Sequence, residues 1–270
     1  MKLTTEQLAD YEEQGFLLLP DLFSEREVEA MKGELARFGT LDTDHIVREK
    51  SGAIRTVFRA HDAESPTFSE PYYAAARVPR LIEPMRQILG DEHLYMYHSK
   101  LNLKEAIDGA VWQWHQDYGY WEKDGTPTPN LSTACIILGE ASEMSGCLYF
   151  LPGSHKIGKI EPDFDAETTS YGLWKIPREK IIEQMEKLGD PIPMTGPPGT
   201  AILFHPQILH GSGHNMGPRP RWQIYFVYNT LANRPAKSDT PRPEYVCSRH
   251  CAELEMLGDD AIVEALEAAE

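Results

Sequence analysis

The hydrophobic period of this chain changes near residue 90, and that change limits its fold more than any other feature. Before it, apolar residues recur at helical spacing. Leu81, Ile82, Met85, Ile88 and Leu89 fall on one face ahead of Gly90, which predicts a helix over Arg80 to Leu89. Two earlier segments carry helix-start signatures: Thr4 with Gln7, and Ser24 with Glu27, have the capping-box spacing, and Gly15 supplies a stop. The apolar run from Phe16 to Leu19, closed by Pro20, reads as a short strand between the first helix and a second one running toward Phe38.

After residue 90 the residues alternate instead. Tyr95, Tyr97, Ser99, Leu101 and Leu103 are expected on one face of a strand, and Leu94, Met96, His98, Lys100 and Asn102 on the other. Further short strands are predicted at Val111 to His115, Thr133 to Leu138, Cys147 to Leu151, Thr200 to Phe204 and Trp222 to Tyr228, separated by turns such as Asp124-Gly125 and Pro152-Gly153. Helices followed by many short strands define an α+β chain. Its core is expected to be a double-stranded β-helix, or jelly roll, with the N-terminal helices packed on one sheet. Residues 158–193 break the pattern with an acidic, Pro-containing stretch and one helix, Arg178 to Leu188, and read as a lid-like insertion over the barrel.

The 270 residues fit a single domain, 1–270, because 41% of them are apolar and the charged fraction, 25%, is that of an ordinary globular protein. No apolar run is long enough to span a membrane, and the N-terminus has no secretory pattern, so a cytoplasmic protein is expected. The formal charge of −16, from 26 basic and 42 acidic side chains, repels phosphate backbones and anionic lipid surfaces. Neither a nucleic acid nor a membrane is expected as a partner; a small molecule is. Cys135, Cys147, Cys247 and Cys251 read as free thiols, and the Cys247, His250, Cys251 group lacks a second pair to complete a zinc site.

His115 and Asp117, spaced i, i+2 at a strand end, can face one metal ion. A two-residue motif of this kind is weak evidence among ten histidines. A third ligand is available from the stretch holding His205, His210 and His214, with Arg221 on the strand that follows. Two histidines and one carboxylate with open positions suit non-haem iron(II), and a guanidinium nearby suits the distal carboxylate of 2-oxoglutarate.

Several blocks, in order, resemble the phytanoyl-CoA dioxygenase superfamily, and among its members the ectoine hydroxylases most. They are Ser51-Gly52 to Ile54-Arg55-Thr-Val-Phe58 with His61, Ser99-Lys-Leu-Asn102, Trp114-His-Gln-Asp-Tyr-Gly-Tyr-Trp121, Asp124-Gly125-Thr-Pro127, Leu151-Pro-Gly-Ser-His155-Lys156, and His210-Gly-Ser-Gly-His-Asn215 with Arg221. The resemblance implies iron(II) held by His115, Asp117 and His210, and 2-oxoglutarate held by Arg221 with help from Ser212 and Asn102. It implies consumption of dioxygen and hydroxylation of a small molecule, with succinate and carbon dioxide released. Lys100, His98, Trp121, Phe204 and Tyr225 are the candidate substrate contacts, while Trp112 and Trp114 read as core. His155 is assigned a supporting role, His205 should face away from His210, and His214 is either a supporting donor or a solvent-facing loop residue.

The departures concern the substrate. The ectoine enzymes carry Gln-Ser-Arg ahead of the Asn, where this chain has His98-Ser99-Lys100, and Phe-Glu-Thr-Trp after the Asp, where it has Tyr118-Gly119-Tyr120-Trp121. A lysine lacks the bidentate geometry of arginine, which argues against ectoine itself. The expected substrate is small, polar and amino-acid-like, with a carboxylate or a zwitterionic character to meet Lys100. Two other readings stand beside this one: a metal-binding jelly roll without turnover, disfavoured by the intact Arg221, and a zinc hydrolase, disfavoured because no general base lies nearby in sequence.

Overall fold

The computed structural model of the chain describes residues 1–109, 111–165, 172–239 and 241–267. Its first elements are α1 (Thr5–Gln14), β1 (Phe16–Leu19), α2 (Glu25–Thr40), β2 (Ile46–Arg48), β3 (Ile54–Phe58), α3 (Glu70–Ala75) and α4 (Pro79–Leu89). There follow β4 (Leu94–Lys104), β5 (Trp112–His115), α5 (Tyr118–Trp121), β6 (Leu131–Ile137), β7 (Leu148–Phe150), β8 (Asp163–Asp165) and β9 (Leu173–Lys175). The last are α6 (Arg178–Leu188), β10 (Ile192–Met194), β11 (Ala201–Phe204), β12 (His210–Ser212), β13 (Arg221–Thr230) and α7 (Ala261–Glu267).

The capping boxes form as their spacing requires. The Thr4 hydroxyl accepts the Gln7 N–H and the Gln7 side chain accepts the Thr4 N–H, with the same exchange between Ser24 and Glu27. Each exchange satisfies two donors that a helix start otherwise leaves open. Gly15 then ends α1 at φ 83°, in the left-handed region that glycine adopts without penalty.

The strands form two main antiparallel sheets. One has seven strands in the order β1-β11-β6-β13-β4-β3-β2, the other four in the order β10-β7-β12-β5, and a separate β8-β9 ribbon stands apart. The large sheet buries one face against α2, α3 and α4 through Val28, Met31, Phe38, Tyr72, Leu81, Ile82 and Met85, which meet Leu101, Ile136, Leu203 and Phe226. Its other face meets the small sheet through Ile137, Ile202, Phe204, Leu148 and Phe150. The arrangement is therefore α+β with helices on one sheet, as expected, but the β-structure is two facing sheets that are not closed into a barrel.

Two readings need correction. The alternation expected along β4 is broken, because its register with β13 slips between Val227 and Tyr228, which pair with His98 and Met96. A bulge inserts one residue and reverses the faces beyond it. Leu94 and Met96 consequently join Leu101 and Leu103 in the helix-facing core, while Tyr95 and Tyr97 pack with Trp121 and Val227. The sequence reading also places no strand at β2, β3, β10 or β12, nor at the ribbon strands β8 and β9.

Gly199 ties the start of β11 to the loop after β1: its carbonyl accepts the Phe23 N–H at 3.0 Å, and its φ is 91°. A Cβ there would lie 2.2 Å from the Phe23 carbonyl oxygen. Gly199→Ala should therefore lower stability by roughly 1–3 kcal/mol or more, from the strained backbone and the clash together. Equilibrium denaturation would measure this, and an unchanged midpoint would contradict it.

Candidate active site

β12 pairs antiparallel to β5 so that His210 stands directly opposite His115, their ring centroids 4.1 Å apart. Each ring is turned by its own backbone. His115 Nδ1 lies 2.7 Å from the Gln113 carbonyl oxygen and His210 Nδ1 lies 3.0 Å from that of Ile208. A carbonyl only accepts, so Nδ1 donates in both rings and Nε2 is the nitrogen turned toward Asp117. Asp117 reaches these nitrogens, with Oδ1 3.6 Å from His115 Nε2 and Oδ2 3.9 Å from His210 Nε2.

Asp117 does not arrive by strand alternation, contrary to the sequence reading. β5 ends at His115, and Asp117 has helical backbone angles, φ −61° and ψ −38°, as the residue that opens α5. A turn, not the pleat, brings the carboxylate back to its neighbour. Among the described residues, His115, Asp117 and His210 are the group whose donor atoms could hold a metal ion, all lying within 4.8 Å of one another.

All three side chains are buried, and their electrostatics follow from that. Burial alone would push the Asp117 carboxyl up, but Lys100, whose Nζ is 4.0 Å away, together with His115 and His210 holds it far below the usual carboxylate range. Burial pulls His210 down to about 3. The trio thus brings one carboxylate and two imidazole nitrogens together, the donor set that a divalent cation of borderline hardness takes.

A cavity of about 250 Å³ opens beside the trio, lined by Asp117, His115, His98, Lys100, Trp112 and Trp121 on the sheet side. Its outer wall comes from Leu173 and Trp174 of β9 and from Arg242, Pro243, Tyr245 and Val246 in the C-terminal segment. Lys100 Nζ lies 5.3 Å from the Trp112 ring centroid and 5.4 Å from that of Tyr225. The His98 Nδ1 lies 2.6 Å from the Val246 carbonyl oxygen, and burial with the nearby Arg242 and Lys100 charges keeps this imidazole neutral. Phe204 and Tyr225 are not among the lining residues: Phe204 packs against His210 and Phe150, and the Tyr225 hydroxyl donates to Gln223 Oε1 at 2.7 Å.

Arg221, Ser212 and Asn102 form a second polar group, deeper between the sheets. Arg221 is 1% exposed; its Nη1 donates to Gln223 Oε1, while its Nε and the Gln223 Nε2 are buried donors with no partner among the described residues. Asn102 Oδ1 accepts from Thr56 Oγ1 at 3.0 Å. Lys104 stands opposite Arg221 in the β4 and β13 register, and its Nζ donates to Ser212 Oγ at 2.8 Å. Two orphaned donors beside two buried cations are the chemical complement of a carboxylate.

Lys104 and Gln223 escaped the sequence reading, although both were within reach of it. Lys104 continues the His98, Lys100, Asn102 face by one more step, and Gln223 follows Arg221 at the same spacing. Trp174, Arg242 and Tyr245 had no such signal, because they come from irregular segments. Of the other histidines, His205 accepts the Gln207 N–H and stacks near His155 at 5.2 Å, away from the trio. His155 Nε2 lies 3.1 Å from the Glu12 carbonyl oxygen and His214 Nδ1 3.2 Å from that of Gly109.

Fold and site together define a class: a helix-backed pair of antiparallel sheets that encloses a His-Asp-His cluster and a buried guanidinium. The comparisons with known proteins give it a family. A model of the phytanoyl-CoA dioxygenase (PhyH) family matches residues 11–222, and the chain belongs to that family. The ectoine dioxygenase of Bordetella bronchiseptica is 32% identical over 262 residues, covering 92% of this chain and 83% of the relative. The L-proline trans-4-hydroxylase of Streptomyces griseoviridis is 30% identical over 251 residues, covering 88% and 90%. The crystal structure of EctD from S. alaskensis with 2-oxoglutarate and 5-hydroxyectoine is similar with a TM-score of 0.80 at 32% identity, covering 95% of this chain and 88% of that one.

The outer wall depends on a buried ion pair. Arg242 Nε and Nη2 donate to Asp124 Oδ2 at 2.8 and 2.6 Å, and the Tyr97 hydroxyl donates to the same oxygen at 2.6 Å. Arg242→Met should leave Asp124 buried and unpaired at a cost of roughly 3 kcal/mol, with partial recovery when Asp124→Asn is added. Burial raises the Asp124 carboxyl, but Arg242 and Tyr97 more than offset it and the net shift is downward. The difference between wild type and variant is thus full at neutral pH and shrinks as pH falls through that depressed value. Denaturant titrations at two pH values would show this; a double variant no better than the single would count against it.

Proposed function

We propose that the protein is an iron(II)- and 2-oxoglutarate-dependent dioxygenase that hydroxylates a small, polar, amino-acid-like molecule. The observation that carries the reading is the His115, Asp117, His210 cluster, with both Nε2 atoms and one carboxylate converging from two strands and a turn. These three would hold the iron, and three protein ligands leave the remaining positions for co-substrate and dioxygen. Arg221 would grip the distal carboxylate of 2-oxoglutarate, with the unpartnered Gln223 Nε2 as an additional donor and Ser212 and Asn102 close by. When bound, iron and 2-oxoglutarate supply the oxidising chemistry: one oxygen atom of dioxygen enters succinate as carbon dioxide leaves, and the other enters the substrate.

The chain's own residues then bind, orient and exclude water. The Gln113 and Ile208 carbonyls fix the two imidazole planes, so the ligand geometry is set before metal arrives. Lys100 would meet a substrate carboxylate, and Trp121 and Trp174 would wall off solvent from the apolar body of the substrate. Relatives named for ectoine and for L-proline support a compact, zwitterionic substrate. The described parts of the 158–193 insertion, residues 158–165 and 172–193, act in this reading as a cover over the mouth of a single jelly-roll domain, the rest of it lying outside the described residues. The Tyr120 hydroxyl donates to the Trp174 carbonyl at 2.7 Å and accepts the Trp174 N–H at 2.6 Å, which ties that cover to the helix following Asp117.

Asp117→Ala should remove most iron affinity and, with it, substrate-dependent succinate formation; normal activity in that variant would overturn the ligand assignment. Arg221→Leu should raise the apparent constant for 2-oxoglutarate by the equivalent of roughly 2–5 kcal/mol, since a buried carboxylate loses its partner. Lys100→Met should weaken substrate binding sharply while 2-oxoglutarate binding stays near normal. A mass-spectrometric screen of amino-acid-like metabolites for a gain of one oxygen identifies the substrate on which to measure it.

A further inference from the structure

Lys104 is fully buried, and its side-chain nitrogen has no carboxylate partner among the described residues. Its Nζ donates to Ser212 Oγ at 2.8 Å, to the Gly146 carbonyl at 3.3 Å and to the Gly213 carbonyl. Among the described residues, the charged groups that face it are Arg221 from β13 and Arg55 from β3, both 1% exposed, and the other titratable neighbour is the Cys147 thiol ahead of β7. Three basic groups thus share one buried space, and Arg55 Nη1 also pairs with Glu49 at 3.4 Å. Such a site disfavours its third positive charge until an anion arrives.

We infer that 2-oxoglutarate enters this site together with a proton, Lys104 becoming a full ammonium ion as the distal carboxylate takes its place beside Arg221. The inference rests on the co-substrate reading above and deepens it, because it assigns Lys104 a part in how that anion is held. The path is short in the fold: Lys104 is the register partner of Arg221, and its Ser212 acceptor lies two residues beyond His210 on β12. Burial, with Arg221 and Arg55 adding to it, pulls the free amine down to about 6. The free protein therefore holds Lys104 mostly uncharged at pH 7.5. A carboxylate within contact distance favours the charged form and raises that value. By linkage, binding takes up a proton at any pH between the free and bound values, and affinity weakens as pH rises through that window, up to tenfold per unit. Below about pH 6 Lys104 is already charged, and its contribution becomes independent of pH.

The test is calorimetry of 2-oxoglutarate binding to the iron-loaded protein without oxygen, in buffers of different ionisation enthalpy at pH 7.5. Wild type should take up close to one proton per ligand, and its dissociation constant should rise several-fold between pH 7 and pH 8. Lys104→Met should take up none and show a constant that does not change over that range. Binding by the wild type without proton uptake would overturn the inference and leave the co-substrate reading standing, a result that does not depend on the variant folding. Uptake that persists in Lys104→Met would overturn it equally. Absence of any 2-oxoglutarate binding would strike the co-substrate reading itself, and the inference with it.

Discussion

The site depends on one piece of backbone pairing, the antiparallel contact of β12 with β5 that sets His210 opposite His115. The two residues are 95 positions apart in the chain, and nothing local holds them together. β12 is three residues long and would not persist alone; it is held between β5 and β7, and the register slips between His210 and Ser212. That irregularity has a use, since a bulge re-aims side chains and ends regular pairing next to a site. Phe150 and Phe204 pack against the His210 ring, whose Nε2 edge is turned toward Asp117.

The interior between the sheets changes character along its length. At one end Ile137, Ile202, Leu148 and Phe150 make an ordinary apolar core. Along β4 and β13 the same inner face then becomes polar, with His98, Lys100, Asn102 and Lys104 on one strand and Arg221 and Gln223 on the other. Burying so many polar groups costs stability unless each finds a partner. Some are satisfied within the chain, as Asn102 is by Thr56. Arg221 Nε and Gln223 Nε2 have no partner among the described residues. The helix-backed face of the large sheet is mostly apolar, its few polar groups, such as Ser99 with His61 and Ser132 with Tyr11, being paired within the chain.

Much of this was legible beforehand, and the successes share a cause. Capping boxes at Thr4 and Ser24, the Gly15 stop and the helix ending at Leu89 are set by neighbours within one or two turns, so local chemistry decides them. The long strands β4, β6 and β13 carry enough alternation to be read. The failures have a cause as well. The Tyr97 bulge depends on how β13 lies against β4, and the residues that enclose the cavity, Trp174, Arg242 and Tyr245, come from segments without periodicity. Asp117 was expected to share a face with His115 by the pleat, yet it reaches the site through the turn into α5, because β5 ends two residues short of it.

The sequence by itself determined the chain's helices and long strands, and the motif blocks that pointed to the phytanoyl-CoA dioxygenase family, because spacing along the backbone is enough to specify them. Only the tertiary structure decided which of ten histidines meet, which inward-facing donors remain without partners, and that Lys104 shares a buried space with two guanidinium groups. Those are properties of dielectric and distance between strands far apart in the chain, and no local pattern encodes them.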